Sequence, residues 1–236
     1  MTFTPTTESF GVRTMGKDVC MGTSESEDAA ANAVFDAWRR RHRPVNEIPA
    51  TVPLDVEIGA TDSVVVFVSS LALYSNGIEF TVEARGRGGP GSDDRPVALV
   101  EGLMGTVPLE HRVLLGVEFA DGRRCLSTPR GQEADPEAEL LLLPSGGHGG
   151  NGVASAEWFL SPLPPPGDLT LYCAWPSAGI VETTTIIAAD PLADAAPRVR
   201  QLWPPSRIYD QQPDPTPVTL AADGWFTRNG FFSDPS

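Results

Sequence analysis

The chain has 236 residues, a net charge of −14 and 41% apolar side chains, which suffices for one core of ordinary size plus flanking segments. No stretch approaches the roughly 18 consecutive apolar residues of a membrane-spanning helix, so no membrane partner is expected. Residues 54–203 hold 9 basic against 20 acidic side chains, and a surface of that sign repels phosphate backbones, which disfavours nucleic-acid binding.

Residues 1–23 are polar and lack an apolar period, which predicts a disordered leader. With no apolar h-region there, the expected compartment is the cytoplasm. Ser24 and Glu27 then form a capping-box pattern, and Ala30, Ala31, Val34, Phe35 and Trp38 recur at helical spacing. Acids lead this segment, and Arg39, Arg40, Arg41 and Arg43 close it, as a helix dipole favours. Pro44 ends it. The reading is one amphipathic helix over 24–43, lying on the sheet or on a partner.

From Val52 the apolar period changes to two, the spacing of strands. Ser63–Leu73 is nearly continuous and predicts a strand covered on both faces. Tyr74-Ser75-Asn76-Gly77 predicts a hairpin with Asn-Gly at positive φ. In the next strand Ile78, Phe80, Val82 and Ala84 alternate with Glu79, Thr81, Glu83 and Arg85, so one face meets a core and the other water. Gly86–Pro96 reads as a loop, and Val113, Leu115, Val117 and Phe119 as an inward row before an Asp121-Gly122 turn. An acidic loop, Gln132–Glu139, precedes Leu140–Leu143. Gly146–Gly152 reads as a second, glycine-rich loop. Ala156, Trp158 and Leu160 share a face, as do Leu169, Leu171, Cys173 and Trp175, and Ile180–Ala188 is the last long strand. Pro197 cuts a weak helical pattern around Leu192. Eight or nine antiparallel strands over 44–203 predict an all-β fold, an antiparallel β-sandwich of immunoglobulin-like or jelly-roll-like type. Residues 204–236 form a Pro-rich tail with Trp225, Phe226, Phe231 and Phe232 near its end.

Candidate chemistry is sparse. The one lysine, Lys17, leaves no P-loop or Schiff-base lysine in the central region. Cys20, Cys125 and Cys173 are odd in number and lack CxxC spacing, so no disulfide framework is expected. Cys125 and Cys173 fall on strands and read as inert buried thiols. His42 belongs to the helix end and His111 to a strand edge. His148, among glycines, is the candidate ligand-loop residue, weighed against a plain solvent-facing loop. Asp93-Asp94 and Glu133–Glu139 lack calcium-loop spacing. Glu79 and Glu83 share an outward face and would serve as an acid–base pair only if covered. The run Arg39–Arg43 is the one basic patch, and helix-dipole compensation accounts for it, weighed against contact with an anionic surface such as nucleic acid. No cofactor or metal is expected.

Leu163-Pro164-Pro165-Pro166-Gly167, Cys173-Ala174-Trp175-Pro176 and Gly179-Ile180-Val181-Glu182-Thr183 resemble a group of uncharacterised proteins from GC-rich actinobacteria. The likeness extends to Gly116–Arg123, the glycine-rich stretch Gly146–Gly152 and Leu202-Trp203-Pro204, spanning about residues 50–205. It implies no catalytic residue, since no activity attaches to that group. The expected function is therefore a non-enzymatic cytosolic β-sandwich that binds an unknown protein partner through its helix, an edge strand or the aromatic residues Trp225, Phe226, Phe231 and Phe232. The alternative is a ligand-binding or hydrolytic sandwich with its site at the loops Gly86–Asp94 and Gly146–Gly152 around His148.

Overall fold

The computed structural model describes residues 25–87, 99–128, 131, 135, 137–150, 152–205 and 228. The expected leader 1–23, most of the Gly86–Pro96 loop and nearly all of the tail lie outside these described residues. The described chain is mostly β, with three sheets and few helices.

In chain order the elements are α1 (Glu25–Arg41), β1 (Glu47–Ile48), β2 (Ala50–Val52), β3 (Val56–Ala60), β4 (Val64–Tyr74) and β5 (Gly77–Gly86). Next come α2 (Leu99–Met104), β6 (Leu114–Glu118), β7 (Arg124–Leu126), β8 (Leu141–Gly150) and β9 (Val153–Ser161). The last are β10 (Leu169–Trp175), β11 (Ile180–Ile187), α3 (Asp190–Ala195) and β12 (Arg200–Gln201). One sheet runs β2-β4-β5-β9-β8 with β3 also on β4, a second runs β11-β10-β6-β7, and β1 pairs β12. Every pair of named strands is antiparallel. The twelve strands exceed the expected eight or nine, because β4 is shared by β2 and β3 and because β1 and β12 are too short to show a period.

A single apolar core joins the six-stranded and four-stranded sheets. The inward rows of β5 (Ile78, Phe80, Val82, Ala84) and β10 (Leu169, Leu171, Cys173, Trp175) both belong to that core, each by alternation along its strand. The two sheets approach at both edges. Ser127 and Leu142 make an isolated parallel bridge between β7 and β8. On the other side the Thr183 hydroxyl of β11 donates to the Ile58 carbonyl of β3.

β4 differs from the strand expected, which was to be covered evenly on both faces. Val66 and Val68 are buried, but so are Leu71 and Leu73, three and five residues beyond Val68. A register shift between Val68 and Ser70 explains the change of parity. The extra residue, Ser69, reverses which positions face inward, and an apolar run without alternation results.

The hairpin after β4 is also built otherwise than expected. Tyr74 pairs with Gly77, so the loop is Ser75-Asn76 and Gly77 opens β5. Gly77 does not hold a positive φ. A Cβ there would lie 2.3 Å from the Leu160 carbonyl oxygen and 2.8 Å from the Phe159 ring, so close strand approach demands the glycine.

The predicted glycine-rich loop is corrected in the same way. Leu141–Gly150 is one edge strand, in which Gly147 pairs with Ala156 and His148 with Ser155. Its glycines leave room for α2, since a Cβ on Gly147 would sit 2.4 Å from Met104 Sδ and one on Gly149 2.6 Å from Val100 Cγ2. Gly149 also faces the Val153 carbonyl oxygen at 2.4 Å from such a Cβ. Glycine here marks helix-on-strand packing and not loop freedom.

Gly77→Ala and His148→Ala are expected to separate these two roles. Overpacking against backbone at position 77 should cost about 1–3 kcal/mol, read as a lowered urea midpoint. The exposed His148 truncation should stay within about 0.5 kcal/mol of the parent.

Candidate functional site

The register of β5, β9 and β8 aligns Glu83, Ser155 and His148 in one row across the outer face of the larger sheet. The Ser69 hydroxyl, projecting from the β4 bulge, bonds the Glu83 carboxylate and holds it below the usual carboxylate range, with Arg85 assisting and burial opposing. A serine–histidine–acid relay needs the imidazole between the hydroxyl and the acid. Here the serine stands in the middle, and Ser155 is buried while His148 is exposed. The row lacks the order that nucleophilic catalysis requires.

Glu79 and Glu83 do share a face, yet each is held by an arginine. Arg43 Nη1 donates to both Glu79 oxygens at 3.0 and 2.7 Å, and Arg85 Nη2 donates to Glu83. A general acid needs a raised pKa, and Glu83 has the reverse. His42 stacks on Trp38 with centroids 4.5 Å apart, and its Nδ1 lies 2.8 Å from the Trp38 carbonyl oxygen. The His111 carbonyl accepts from Trp175 Nε1 at 3.0 Å, while its ring is at the surface. Among the described residues no group of three His, Cys, Asp or Glu side chains is placed to hold a metal.

Two surfaces remain. The first lies where the C-terminal end of α1 meets the β4–β5 turn. The last carbonyls of a helix have no partner within it. Asn76 Nδ2 donates to the Arg39 and His42 carbonyls at 2.8 Å each, and Ser161 Oγ donates to the Arg41 carbonyl at 3.2 Å. Glu79 fastens the same end through Arg43 and also accepts from Ser145 Oγ of β8 at 3.2 Å. Sequence reasoning missed this role, since Asn76 reads as a turn residue and its partners lie more than thirty positions away. Beside the junction lies a groove of about 340 Å³, lined by Phe35, Trp38, Arg40, Asn46, Trp203 and Pro205 among others. Among the described residues of the α1 stripe, Val34 is 71% exposed and Trp38 42%, while Phe35 is half-buried.

The second surface is the outer face of the four-stranded sheet. Register puts Ile186, Thr170, Glu118 and Arg124 in one row, and Thr184, Tyr172, Gly116 and Leu126 in the next. Ala174 and Leu114 follow. Gly116 is among the residues lining an open groove of about 780 Å³, and Tyr172 and Leu126 close over it, since a Cβ there would lie 3.3 Å from Tyr172 Cβ and 3.6 Å from Leu126 Cδ2. Leu126 is 79% exposed and Ile186 66%. At its rim the Tyr172 hydroxyl donates to Glu118 Oε2 at 3.0 Å, and Glu182 lies alongside. A signal for this face was present in β10, whose outward residues Thr170, Tyr172 and Ala174 carry no charge, unlike the outward row of β5.

On the inner side of that sheet Cys125 pairs with Val117 and Cys173 with Leu115, both thiols free. Burial pushes each up to about 12. Trp225, Phe226, Phe231 and Phe232 lie outside the described residues, as does Cys20. No protein-family model, curated protein or solved structure matches the chain.

The thiols fix the sign of an alkaline instability. An unfolded thiol ionises near 8.5, so below that pH the folded chain keeps its full advantage. As pH rises towards 12 the unfolded chain alone releases these protons, and stability falls. Urea midpoints should therefore decline steadily above about pH 8.5, the unfolded-thiol value. The decline should be shallower in a Cys125→Val, Cys173→Val variant, though not flat, because burial first and then Glu79 also raise Tyr74.

Proposed function

We propose that the chain is a non-enzymatic protein-interaction module, a β-sandwich of its six- and four-stranded sheets. Its binding surface is the outer face of β7-β6-β10-β11. The exposed apolar groove over Gly116, walled by Leu126 and Tyr172, carries this reading. Patches of exposed large apolar side chains on a chain of such high charge mark contact surfaces. Glu118 and Glu182 outnumber Arg124 around the groove, and with the net charge of −14 they select the occupant: an extended segment of a partner protein that alternates apolar residues with Lys or Arg. The two described thiols, buried Cys173 and half-buried Cys125, are free, which suits a reducing compartment such as the cytoplasm.

The reading favours binding over hydrolysis because the Glu83–Ser155–His148 row has the wrong order for a relay and its serine is buried. Selection of a random displayed-peptide library on the folded protein should enrich sequences alternating apolar and basic residues. Leu126→Glu should weaken the selected peptides about tenfold or more, equivalent to about 1.4 kcal/mol, with folding stability unchanged. Peptides with no basic–apolar pattern, or binding indifferent to Leu126→Glu, would remove the sheet face as the site.

A further inference from the structure

The groove beside α1 differs from the sheet face in its chemistry. Along the helix Phe35 stacks on Trp38 with centroids 6.4 Å apart, and Trp38 on His42 at 4.5 Å. This ladder of rings shares the lining with Trp203. Asn46 places the second indole: Leu202 N–H donates to the Asn46 carbonyl and Asn46 Nδ2 to the Trp203 carbonyl, each at 2.8 Å. Trp38 and Trp203 are both exposed, whereas Trp158 and Trp175 are fully buried in the core. Two exposed indoles around one opening are the usual anchors of a contact surface.

Much of the polar lining is spent on internal bonds. Asp36 pairs with Arg39 at 3.5 Å, and Glu79 holds Arg43 at 2.7 Å. The Glu47 carboxylate accepts from the Ser75 N–H at 3.0 Å and from its hydroxyl. Asn76 commits its amide N–H groups to the Arg39 and His42 carbonyls. Three donors of the lining make no hydrogen bond or ion pair among the described residues: Trp38 Nε1, Trp203 Nε1 and the Arg40 guanidinium.

We infer that the groove binds a proline-rich, acidic segment of a partner protein in the polyproline II conformation. Such a segment presents carbonyl acceptors with no internal hydrogen bonds, and its prolines carry no N–H. It therefore matches the three free donors and needs few acceptors in return. Its pyrrolidine rings pack against aromatic walls, and its preformed backbone loses little entropy on docking. Charge complementarity adds the acid, since Arg40 is the one arginine of the lining without an ion-pair partner among the described residues. A nucleic acid is the poorer match, because Asp36, Glu47 and Glu79 stand beside the arginines and would repel successive phosphates.

The dimensions agree. A groove of about 340 Å³ takes about one turn of such a helix, three residues over about 9 Å. A second opening of about 380 Å³ shares Arg39, Asn46, Glu47 and Ser75 with it, so an extended chain has a path to continue along. This site is separate from the sheet face proposed above, whose occupant is basic. The two stand or fall independently.

The test follows the indole N–H resonances of the full, isotope-labelled chain, with those of Trp38 and Trp203 assigned from Trp38→Phe and Trp203→Phe. The probes are a peptide of eight prolines ending in two aspartates, the same peptide ending in two lysines, and an alanine–serine peptide ending in two aspartates. The proline–aspartate peptide should shift the Trp38 and Trp203 resonances saturably and leave those of Trp158 and Trp175 in place. The lysine peptide should bind about tenfold or more weaker, and the proline-free peptide should shift neither indole. Arg40→Glu, at an exposed position, should reverse the preference between aspartate and lysine. Equal binding of the proline-free peptide, or an octathymidylate binding where the proline peptide does not, would overturn the inference. So would a preference for aspartate that ignores Arg40→Glu, or no shift of Trp38 and Trp203 at millimolar peptide, the result if the chain's own tail fills the groove.

Discussion

The indole of Trp175 sits where the four-stranded sheet, α2 and the turn before β6 converge, and the surrounding contacts leave it one position. It is fully buried, and its Nε1 donates to the His111 carbonyl at 3.0 Å. A Cβ on Gly102 of α2 would approach its ring to 2.8 Å, so the helix lies directly on the indole. Gly102 in turn accepts from Val113 N–H at 3.0 Å, which starts the inward row of β6. Trp175 also pairs with Ile180 across a register shift, and Gly179 at φ 75° completes the corner between them. The orientation of β6, β10 and β11 follows from this packing, and so does the outer face they present.

That face and the α1 groove owe their exposure to opposite causes. The sheet face is a second side of strands whose first side is committed to the core. Alternation makes such a side unavoidable, and its apolar character is then a choice of sequence. The α1 groove lies where a helix end is fastened by polar groups, Asn76, Ser161 and Glu79, with Val34 and Trp38 of its described residues left exposed. One surface is a by-product of pleating made sticky, the other a helix pinned at one end.

Legibility in the sequence followed locality. Rows such as Ile78–Ala84 and Leu169–Trp175 were readable because each strand's burial depends on its own alternation. The Asp121-Gly122 turn was readable because Gly122 needs φ 85° and Asp121 bonds Arg123 two residues on. The β4 bulge and the strand character of Gly146–Gly150 were not. Both depend on a partner, Thr81 and Glu83 for one and α2 for the other. His148 drew attention as a loop residue for that reason, although its glycine neighbours serve Met104 and Val100.

By itself the sequence determined the β-rich class, the inward rows, the absence of a lysine or metal-ligand motif in its central region, and a strongly acidic surface, since each depends on composition or on spacing within one element. The tertiary structure alone decided that Asn76 closes a helix, that serine separates His148 from Glu83, and that Leu126, Tyr172 and Ile186 share one open face. These facts are relations among strands distant in the chain, and register, which no single strand encodes, is what brings their side chains together.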